Sequence, residues 1–237
     1  MIGLTFKSSA LWLREALFPV FCFGCRREGY WLCPSCRLTC PPLSLQRCLA
    51  CTEIHAYGQM CKKGKLRYGL THLISRGNFY DWLWQPLIHA WKYESAAELN
   101  ALIQEMFLDC ASVLPKNIDL IIPVPLSYRR EMDRGFNQAA VLAQGLHKHF
   151  GWPVVEAVRR IVDTPPQATL LTEQRKINMY GAFQCSDIRA VKDKNCLIVD
   201  DVVTTGATLT AMSRALLHAG AGSVSAATLL SSVSVSR

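Results

Sequence analysis

Two adjacent carboxylates followed by a loop of threonines and glycine are the residues best suited to chemistry in this chain. The apolar run 196–199 leads directly into this pair. Backbone N–H groups at the start of a helix, together with threonine hydroxyls, bind a phosphate monoester, and carboxylates accept hydrogen bonds from neighbouring hydroxyl groups. The segment therefore predicts a site for a ribose 5-phosphate. Its candidate residues are Asp200, Asp201, Thr204, Thr205, Gly206, Ala207 and Thr208.

The same segment has two simpler interpretations, an ordinary capped helix and the Walker B strand end of an NTPase. Neither accounts for the loop 204–206. A Walker B strand also needs a Walker A loop, and the nearest match, residues 58–66, has one residue too many between its glycines. Leu66 also stands where that motif needs the hydroxyl that holds Mg²⁺. NTPase activity is therefore not predicted.

The elements that must position these residues alternate between apolar strands and amphipathic helices from about residue 70 onward. Such alternation, with short connections that contain glycine, predicts a mainly parallel sheet covered on both faces by helices. Ligands of such sheets bind at the carboxyl ends of the strands. Strands are predicted at 70–79, 119–123, 153–158, 196–199 and 224–230, and helices at 82–93, 96–113, 137–150 and 208–219.

The cysteines form a second group of chemically capable residues, because eight of the eleven lie between positions 22 and 61. The sequence shows no convincing signal peptide, and no run approaches the roughly twenty apolar residues of a membrane span. A reducing, cytoplasmic location is therefore expected, and paired cysteines then indicate metal ligands rather than disulfides. Two C-x-x-C pairs predict a structural zinc site with four thiolates. Its ligands are Cys22, Cys25, Cys33 and Cys36.

A second metal site is predicted from Cys48, Cys51 and Cys61, which supply three ligands. Gly64 occupies the position where a further cysteine would complete the second pair. Either Cys40 or His55 completes the site, or the site is degenerate. The whole Cys-rich segment has few apolar residues, so its folding is expected to need metal.

Positive charge is concentrated in the same third of the chain. Residues 1–70 carry ten Lys and Arg against three acidic residues, whereas residues 71–237 carry sixteen against fifteen. This charge suits a nucleic acid, and it equally suits a solvated surface around a metal site. The basic residues concerned are Arg26, Arg27, Arg37, Arg47, Lys62, Lys63, Lys65 and Arg67.

Residues 197–208 resemble the 5-phosphoribosyl-1-pyrophosphate (PRPP) motif of type I phosphoribosyltransferases, and the whole chain is similar to the ComF/GntX family. The resemblance includes Ile122-Pro-Val-Pro-Leu126 and Arg134-Gly-Phe-Asn-Gln138. It implies an α/β fold, a type I phosphoribosyltransferase-like parallel sheet flanked by helices and preceded by a small Cys-rich zinc ribbon domain. The expected divisions are an apolar N-terminal helix at 1–20, the zinc ribbon domain at 21–68 and the phosphoribosyltransferase-like domain at 69–237.

The resemblance also implies a role for each motif. Asp200 and Asp201 would hold the ribose hydroxyls of PRPP, and residues 204–208 its 5-phosphate. The loop 123–127 would face the pyrophosphate, with Mg²⁺ bridging pyrophosphate and ribose oxygens. The arginines that follow this loop would neutralise the pyrophosphate or lie on the surface. The candidates are Val124, Pro125, Leu126, Arg129, Arg130 and Arg134.

Residues 164–178 would form a mobile hood that closes over PRPP and excludes water. Their Pro165-Pro166 pair and polar composition are typical of a loop. The alternative is an ordinary surface connection. The hood candidates are Thr164, Gln167, Arg175 and Asn178.

Two functions follow from the resemblance. One is a transferase that displaces pyrophosphate at the anomeric carbon of PRPP, with a nucleobase, nucleotide or amine as the unidentified acceptor. No general base is predicted for it. The other, favoured by the family, is natural transformation or the use of external DNA. In this role the protein binds PRPP and handles incoming single-stranded DNA in the cytoplasm, with the uptake machinery at the inner face of the membrane as a further partner. A pure zinc-ribbon interaction module would leave the PRPP motif without a function.

Overall fold

The computed structural model describes residues 19–93, 96–127, 132–161 and 181–232. Several sequence predictions lie outside these residues. They are residues 1–18 of the N-terminal helix, Arg129 and Arg130 of the pyrophosphate loop, and the hood residues 164–178.

The Cys-rich segment folds into short elements joined by tight turns. Its two longest elements are helices, and its two strands pair antiparallel. The elements are α1 (Pro34–Leu38), β1 (Gln46–Arg47), β2 (Ile54–His55) and α2 (Lys62–Tyr68), with a 3₁₀ turn at Ala56–Gly58.

The rest of the described chain alternates strands and helices. Its elements are β3 (Leu73–Asn78), α3 (Trp84–Tyr93), α4 (Ala96–Leu108), β4 (Leu120–Pro123), α5 (Gln138–Phe150), β5 (Val158–Arg160), β6 (Phe183–Cys185), α6 (Ile188–Val191), β7 (Asn195–Val203), α7 (Ala207–His218) and β8 (Ser223–Ser231). A second 3₁₀ turn covers Ala111–Val113. In the described part of the chain, every helix is too short or too polar to cross a membrane.

Four parallel strands form the main sheet in the order β3-β8-β7-β4. All four residues of β4 are buried, and so are the seven central residues of β8. Strands buried on both faces are expected to be almost continuously apolar. This holds for β4, whereas β8 also buries Ser225 and Thr228, whose hydroxyls pair with those of Thr71 and Ser75. The predicted α/β fold with a parallel sheet flanked by helices is therefore confirmed.

Two apolar cores fill the space on either side of this sheet. Alternate β7 residues serve opposite cores, because successive side chains of a strand point to opposite faces. Leu197 and Val199 lie in the core formed with α3, α4 and α5. Cys196 and Ile198 lie in the core formed with α7 and the β5–β6 pair.

Each half of the Cys-rich segment joins a different core. Cys22, Cys33 and Cys36 pack in the core beside α3 and α4, whereas Cys48 and Tyr68 pack in the core beside α7. The segment therefore covers part of both faces of the sheet and obtains there the apolar contacts that its own sequence does not supply.

Local sequence accounts for the ends of the main helices. Asn137 caps α5, since its side chain accepts a hydrogen bond from the N–H of Ala139 at 3.0 Å. Gly151 ends the helix with a φ of +74°, a left-handed conformation that glycine adopts without strain. The helix predicted at 96–113 is shorter in the structure. It ends at Leu108, and the separate 3₁₀ turn follows it.

The predicted strand at 153–158 differs most from the structure. Only Val154 pairs with the main sheet, through a bridge to Ile121. The chain then leaves the sheet, because residues 158–160 pair antiparallel with β6 instead. The pattern of apolar residues predicted a strand but not its partner.

Candidate ligand site and metal centres

Asp200 and Asp201 lie near the carboxyl end of β7, within the strand rather than after it as predicted. Each carboxylate accepts a hydrogen bond from the next main-chain N–H, that of Asp201 at 2.9 Å and that of Val202 at 2.7 Å, and the two side chains are within hydrogen-bonding reach of each other. Asp200 lines the cavity of the following loop. Asp201 lies on the side of α3, where it forms an ion pair with Lys92.

The loop 204–206 and the start of α7 surround a cavity of about 180 Å³. All five predicted loop residues, from Thr204 to Thr208, line it together with Asp200. The main-chain N–H groups of the first helical turn carry the partial positive charge of a helix N-terminus. The cavity therefore combines hydroxyls, helix N–H groups and a carboxylate, which suits a phosphate attached to a hydroxyl-bearing group.

Gly206 allows the Cys-rich segment to approach this loop closely. Its φ is +75°, and a Cβ placed there would lie 2.7 Å from Cδ1 of Leu49 and 3.1 Å from Cε1 of Tyr68. The side chains of Thr205 and Thr210 brace the same turn, through contacts with the N–H of Ala207 at 3.4 Å and with the carbonyl of Gly206 at 2.7 Å. The loop is thus held from its own helix and from the Cys-rich segment.

The two carboxylates have pKa values shifted in opposite directions. Burial raises the pKa of Asp200 well above its ordinary value, and the neighbouring charge of Asp201 adds to the effect. Burial also acts to raise the pKa of Asp201, but the ammonium of Lys92 and the more distant Arg134 outweigh it and lower that pKa. Asp201 is therefore the carboxylate held in the ionised form.

Arg134 lies close to this carboxylate pair. Its guanidinium donates hydrogen bonds to Oε1 of Gln138 at 3.1 Å and to the Tyr93 hydroxyl at 3.4 Å. The amide nitrogen of Gln138 is buried and makes no protein hydrogen bond within the described residues. Lys92 and Arg134 therefore place two cationic groups near Asp201, on the α3 side of the sheet.

The predicted pyrophosphate loop lies at the carboxyl end of β4, next to β7. Val124 is buried, and its N–H donates to the carbonyl of Val199 at 2.9 Å. The side-chain amide of Asn137 donates to the carbonyl of Val124 at 3.0 Å. Pro125 and Leu126 follow as partly exposed loop residues. This loop and the carboxylate pair therefore share one edge of the sheet.

Sequence reasoning missed Lys92 and Tyr93. A basic residue in the last turn of a helix is common, so nothing about Lys92 in the sequence distinguished it. Its importance depends on the packing of α3 beside the end of β7, which joins residues more than a hundred positions apart.

The first cysteine cluster has the donor set of a structural metal site. The sulfur atoms of Cys22, Cys25, Cys33 and Cys36 lie within 4.8 Å of one another. Main-chain N–H groups of Gly24 and Cys33 donate to Sγ of Cys22 at 3.4 and 3.3 Å. Burial acts to raise the pKa of Cys22, but these N–H groups outweigh it and lower the pKa to about 6. Four thiolates in this arrangement suit zinc.

The second cluster is completed by His55. Ligand atoms of Cys48, Cys51, His55 and Cys61 lie within 4.8 Å of one another, and Nε2 of His55 is 3.4 Å from Sγ of Cys51. Three thiolates and an imidazole also suit zinc. Of the two fourth ligands that the sequence left open, this arrangement favours His55.

Cys40, the other candidate ligand, lies elsewhere. It is buried beside Arg76, with Nη1 of the arginine 3.9 Å from its sulfur. Gly64 has a structural role instead of a ligating one. Its N–H donates to Sγ of Cys61 at 3.3 Å, and a Cβ on it would lie 2.9 Å from Sγ of Cys48.

The basic residues of the Cys-rich segment divide into two groups. Arg37 is engaged by Glu105 and Asp109, and Arg47 donates to the carbonyl of Thr52 at 2.7 Å. The others have exposed side chains near the first cluster or on α2. These are Arg26, Arg27, Lys62, Lys63, Lys65 and Arg67.

Comparisons with known proteins agree with this architecture. A model of the phosphoribosyl transferase domain matches residues 93–234. The DNA utilization protein YhgH of Shigella flexneri is 32% identical over 223 residues, which are 87% of this chain and 94% of that protein. Competence protein ComFC of Bacillus subtilis is 28% identical over 209 residues, 85% of this chain and 84% of that protein.

Two further similarities are shorter. Competence protein F of Haemophilus influenzae is 36% identical over 104 residues, 43% of this chain and 45% of that protein. A solved structure of an allosteric regulatory enzyme of purine biosynthesis is 22% identical and covers 54% of this chain and 25% of its own, with a TM-score of 0.36. That score is too low for a structural argument.

The fold and the domain match define a protein with a phosphoribosyltransferase-type domain. Since the similarity to the DNA utilization proteins extends over nearly the full length of both chains, the chain belongs to the ComF/GntX family. The family resemblance noted in the sequence is thereby confirmed.

Replacement of His55 tests the composition of the second metal centre. His55→Ala removes one of four ligands, so the zinc content is expected to fall from two ions per chain to one. Cys40→Ala serves as the control and should retain both ions, because its sulfur faces Arg76. Elemental analysis of purified protein after dialysis measures the ratio. Two retained ions in the His55 variant would contradict the assignment.

Proposed function

We propose that this protein binds PRPP with Mg²⁺ at the carboxyl edge of its sheet and acts in DNA utilisation by handling single-stranded DNA. The observation that carries the proposal is the cavity shared by Asp200 and the five residues 204–208, within a chain of the ComF/GntX family. Zinc in the two cysteine clusters would have a structural role, since each cluster packs into one of the two cores.

Three groups of residues bind three parts of the proposed ligand. Residues 204–208 bind the 5-phosphate, because the helix N-terminus and the threonine hydroxyls face one cavity. Asp200 and Asp201 accept hydrogen bonds from the ribose hydroxyls. Lys92 and Arg134 provide positive charge beside them for the pyrophosphate. Mg²⁺ would neutralise part of the pyrophosphate charge when it is bound.

A transferase reaction is the second candidate function. It is favoured by Asp201, which Lys92 keeps ionised beside the proposed ribose position. An ionised carboxylate stabilises the positive charge that develops at the anomeric carbon as pyrophosphate departs. A nucleobase, nucleotide or amine would then attack that carbon. Release of pyrophosphate from PRPP in the presence of an acceptor would favour this function over binding alone.

The DNA-handling part of the proposal is supported by the names of the relatives and by the exposed basic residues of α2. Nucleic-acid affinity depends on neutralising phosphate charge, so it falls as the salt concentration rises. The proposal places the protein in the cytoplasm, because cysteines stay reduced there and can bind zinc. Incoming single-stranded DNA also arrives in this compartment. A peripheral position at the inner membrane, next to an uptake machinery, belongs to the same proposal.

Gly206→Ala is expected to weaken PRPP binding about tenfold, which corresponds to about 1.4 kcal/mol. The added Cβ is strained at a positive φ and must displace Leu49 and Tyr68 from the phosphate loop. Gly151→Ala is the matched control, because it has nearly the same φ and nothing within 4 Å of the new Cβ. It should bind PRPP within about twofold of wild type. Calorimetry with PRPP and Mg²⁺ measures both, and equal affinities for the two variants would contradict the loop assignment.

Replacing Lys62, Lys63 and Lys65 with glutamine is expected to weaken binding of a single-stranded oligonucleotide and to flatten its salt dependence. Each phosphate contact contributes about 0.7 to the slope of log affinity against log salt, so the slope should fall by about 2. The control replaces exposed Lys116, Lys148 and Lys194, which removes the same charge. Fluorescence anisotropy at several salt concentrations distinguishes them, and equal effects of the two triple variants would rule out a specific role for α2.

A further inference from the structure

A groove of about 450 Å³ lies along α7, next to the smaller cavity of the loop 204–206. Its floor is one face of the helix. Arg67 and Tyr68 at the end of α2 lie on one side, and Phe183 of β6 lies on the other. The helix residues lining the groove are Ala207, Thr210, Ala211, Arg214, Ala215 and His218. From the first of these to the last, the floor is about 16 Å long.

The groove is lined by basic residues. Among the described residues that line it, Arg67, Arg214 and His218 are basic and none is acidic. Arg67 and His218 have exposed side chains. A surface of this kind attracts a ligand with negative charge along its length.

The remaining lining is mainly small or aromatic. Ala211 and Ala215 leave the floor open, whereas the largely buried rings of Tyr68 and Phe183 provide apolar surface at its sides. A guanidinium lies over each ring, Arg67 at 5.4 Å from the Tyr68 centroid and Arg160 at 5.6 Å from the Phe183 centroid. Cationic groups next to apolar and aromatic surface are typical of sites for single-stranded nucleic acid.

The groove also meets the proposed PRPP site. Thr205 and Ala207 line both the groove and the cavity of the phosphate loop. A ligand that fills the groove would therefore extend along α7 as far as Thr205 and Ala207. The Cys-rich segment also lines the groove, through Arg67 and Tyr68 at the end of α2. The groove therefore lies between this segment and the phosphoribosyltransferase-type domain.

We propose that the groove along α7 is the path of single-stranded DNA on this protein. Arg67, Arg214 and His218 contact phosphates, and the open floor at Ala211 and Ala215 accommodates the bases. A duplex does not fit this chemistry, because its bases are stacked inside and cannot reach the floor. The proposal rests on the DNA-handling function proposed above and adds the surface on which that function takes place.

Two variants of the full-length, zinc-loaded protein test the path by different means. Ala211→Leu fills the floor without changing the charge, and leucine is a good helix former. Arg214→Gln with His218→Gln removes basic groups and leaves the floor open. Each is expected to weaken binding of a fluorescent oligothymidylate at least about fivefold in low salt.

Matched controls lie on other helices. Ala101→Leu makes the same substitution at an exposed position of α4, and Lys148→Gln with His149→Gln removes a basic pair from the last turn of α5. Both controls should bind within about twofold of wild type. Ultraviolet crosslinking of the oligonucleotide, followed by peptide mapping, should identify peptides that contain Tyr68 or Phe183.

The outcomes separate this proposal from the function on which it rests. If wild type binds no single-stranded DNA, both are overturned. If wild type binds and the α2 lysine variant is weakened but Ala211→Leu is not, the path along α7 is wrong and DNA handling stands. Equal affinity for a duplex of the same length would also overturn the path, since the floor would then have no role.

Discussion

The parallel arrangement of the four central strands is the constraint on which the rest of this structure depends. Parallel strands bring their carboxyl ends to a single edge, so the loops after β4 and β7 have to meet there. This edge gathers carboxylates from β7, the N-terminus of α7 beside a small cavity, and the positive charge of Lys92 from α3. The same geometry places Asp200 and Asp201 side by side, where burial and the charge of Asp201 raise the pKa of Asp200, whereas Lys92 outweighs burial and lowers the pKa of Asp201.

A second constraint is the buried Arg76, which connects the Cys-rich segment to the sheet. This β3 residue is 1% exposed. Its guanidinium pairs with Asp109 at 2.7 Å, donates to the carbonyls of Met106 and Pro41, and lies over the ring of Trp84. A buried guanidinium is tolerated only with such partners. With Leu49 and Tyr68 against Gly206 on the other face, the Cys-rich segment supports both the sheet and the loop 204–206.

Those parts of the fold that depend on local sequence could be predicted, and those that depend on distant contacts could not. Asn137 and Gly151 determine the ends of α5 locally, and the apolar run before Asp200 identified β7. Nothing local indicates that β5 pairs with β6. His55 is brought beside Cys51 only by the pairing of β1 with β2, and Lys92 is brought beside Asp201 only by the packing of α3. An ion pair between residues far apart in the chain produces no periodic pattern or characteristic spacing that could be recognised in the sequence.

Calorimetric titration of PRPP with Mg²⁺ into wild type and the Asp200→Asn, Asp201→Asn double variant tests the central claim most directly. The substitutions keep the shapes of both side chains and remove the charge that accepts hydrogen bonds from the ribose hydroxyls. The account predicts saturable binding by wild type and a loss of at least about a hundredfold, close to 2.7 kcal/mol, in the variant. Absence of binding by folded, zinc-loaded wild type, or unchanged affinity in the variant, would contradict it.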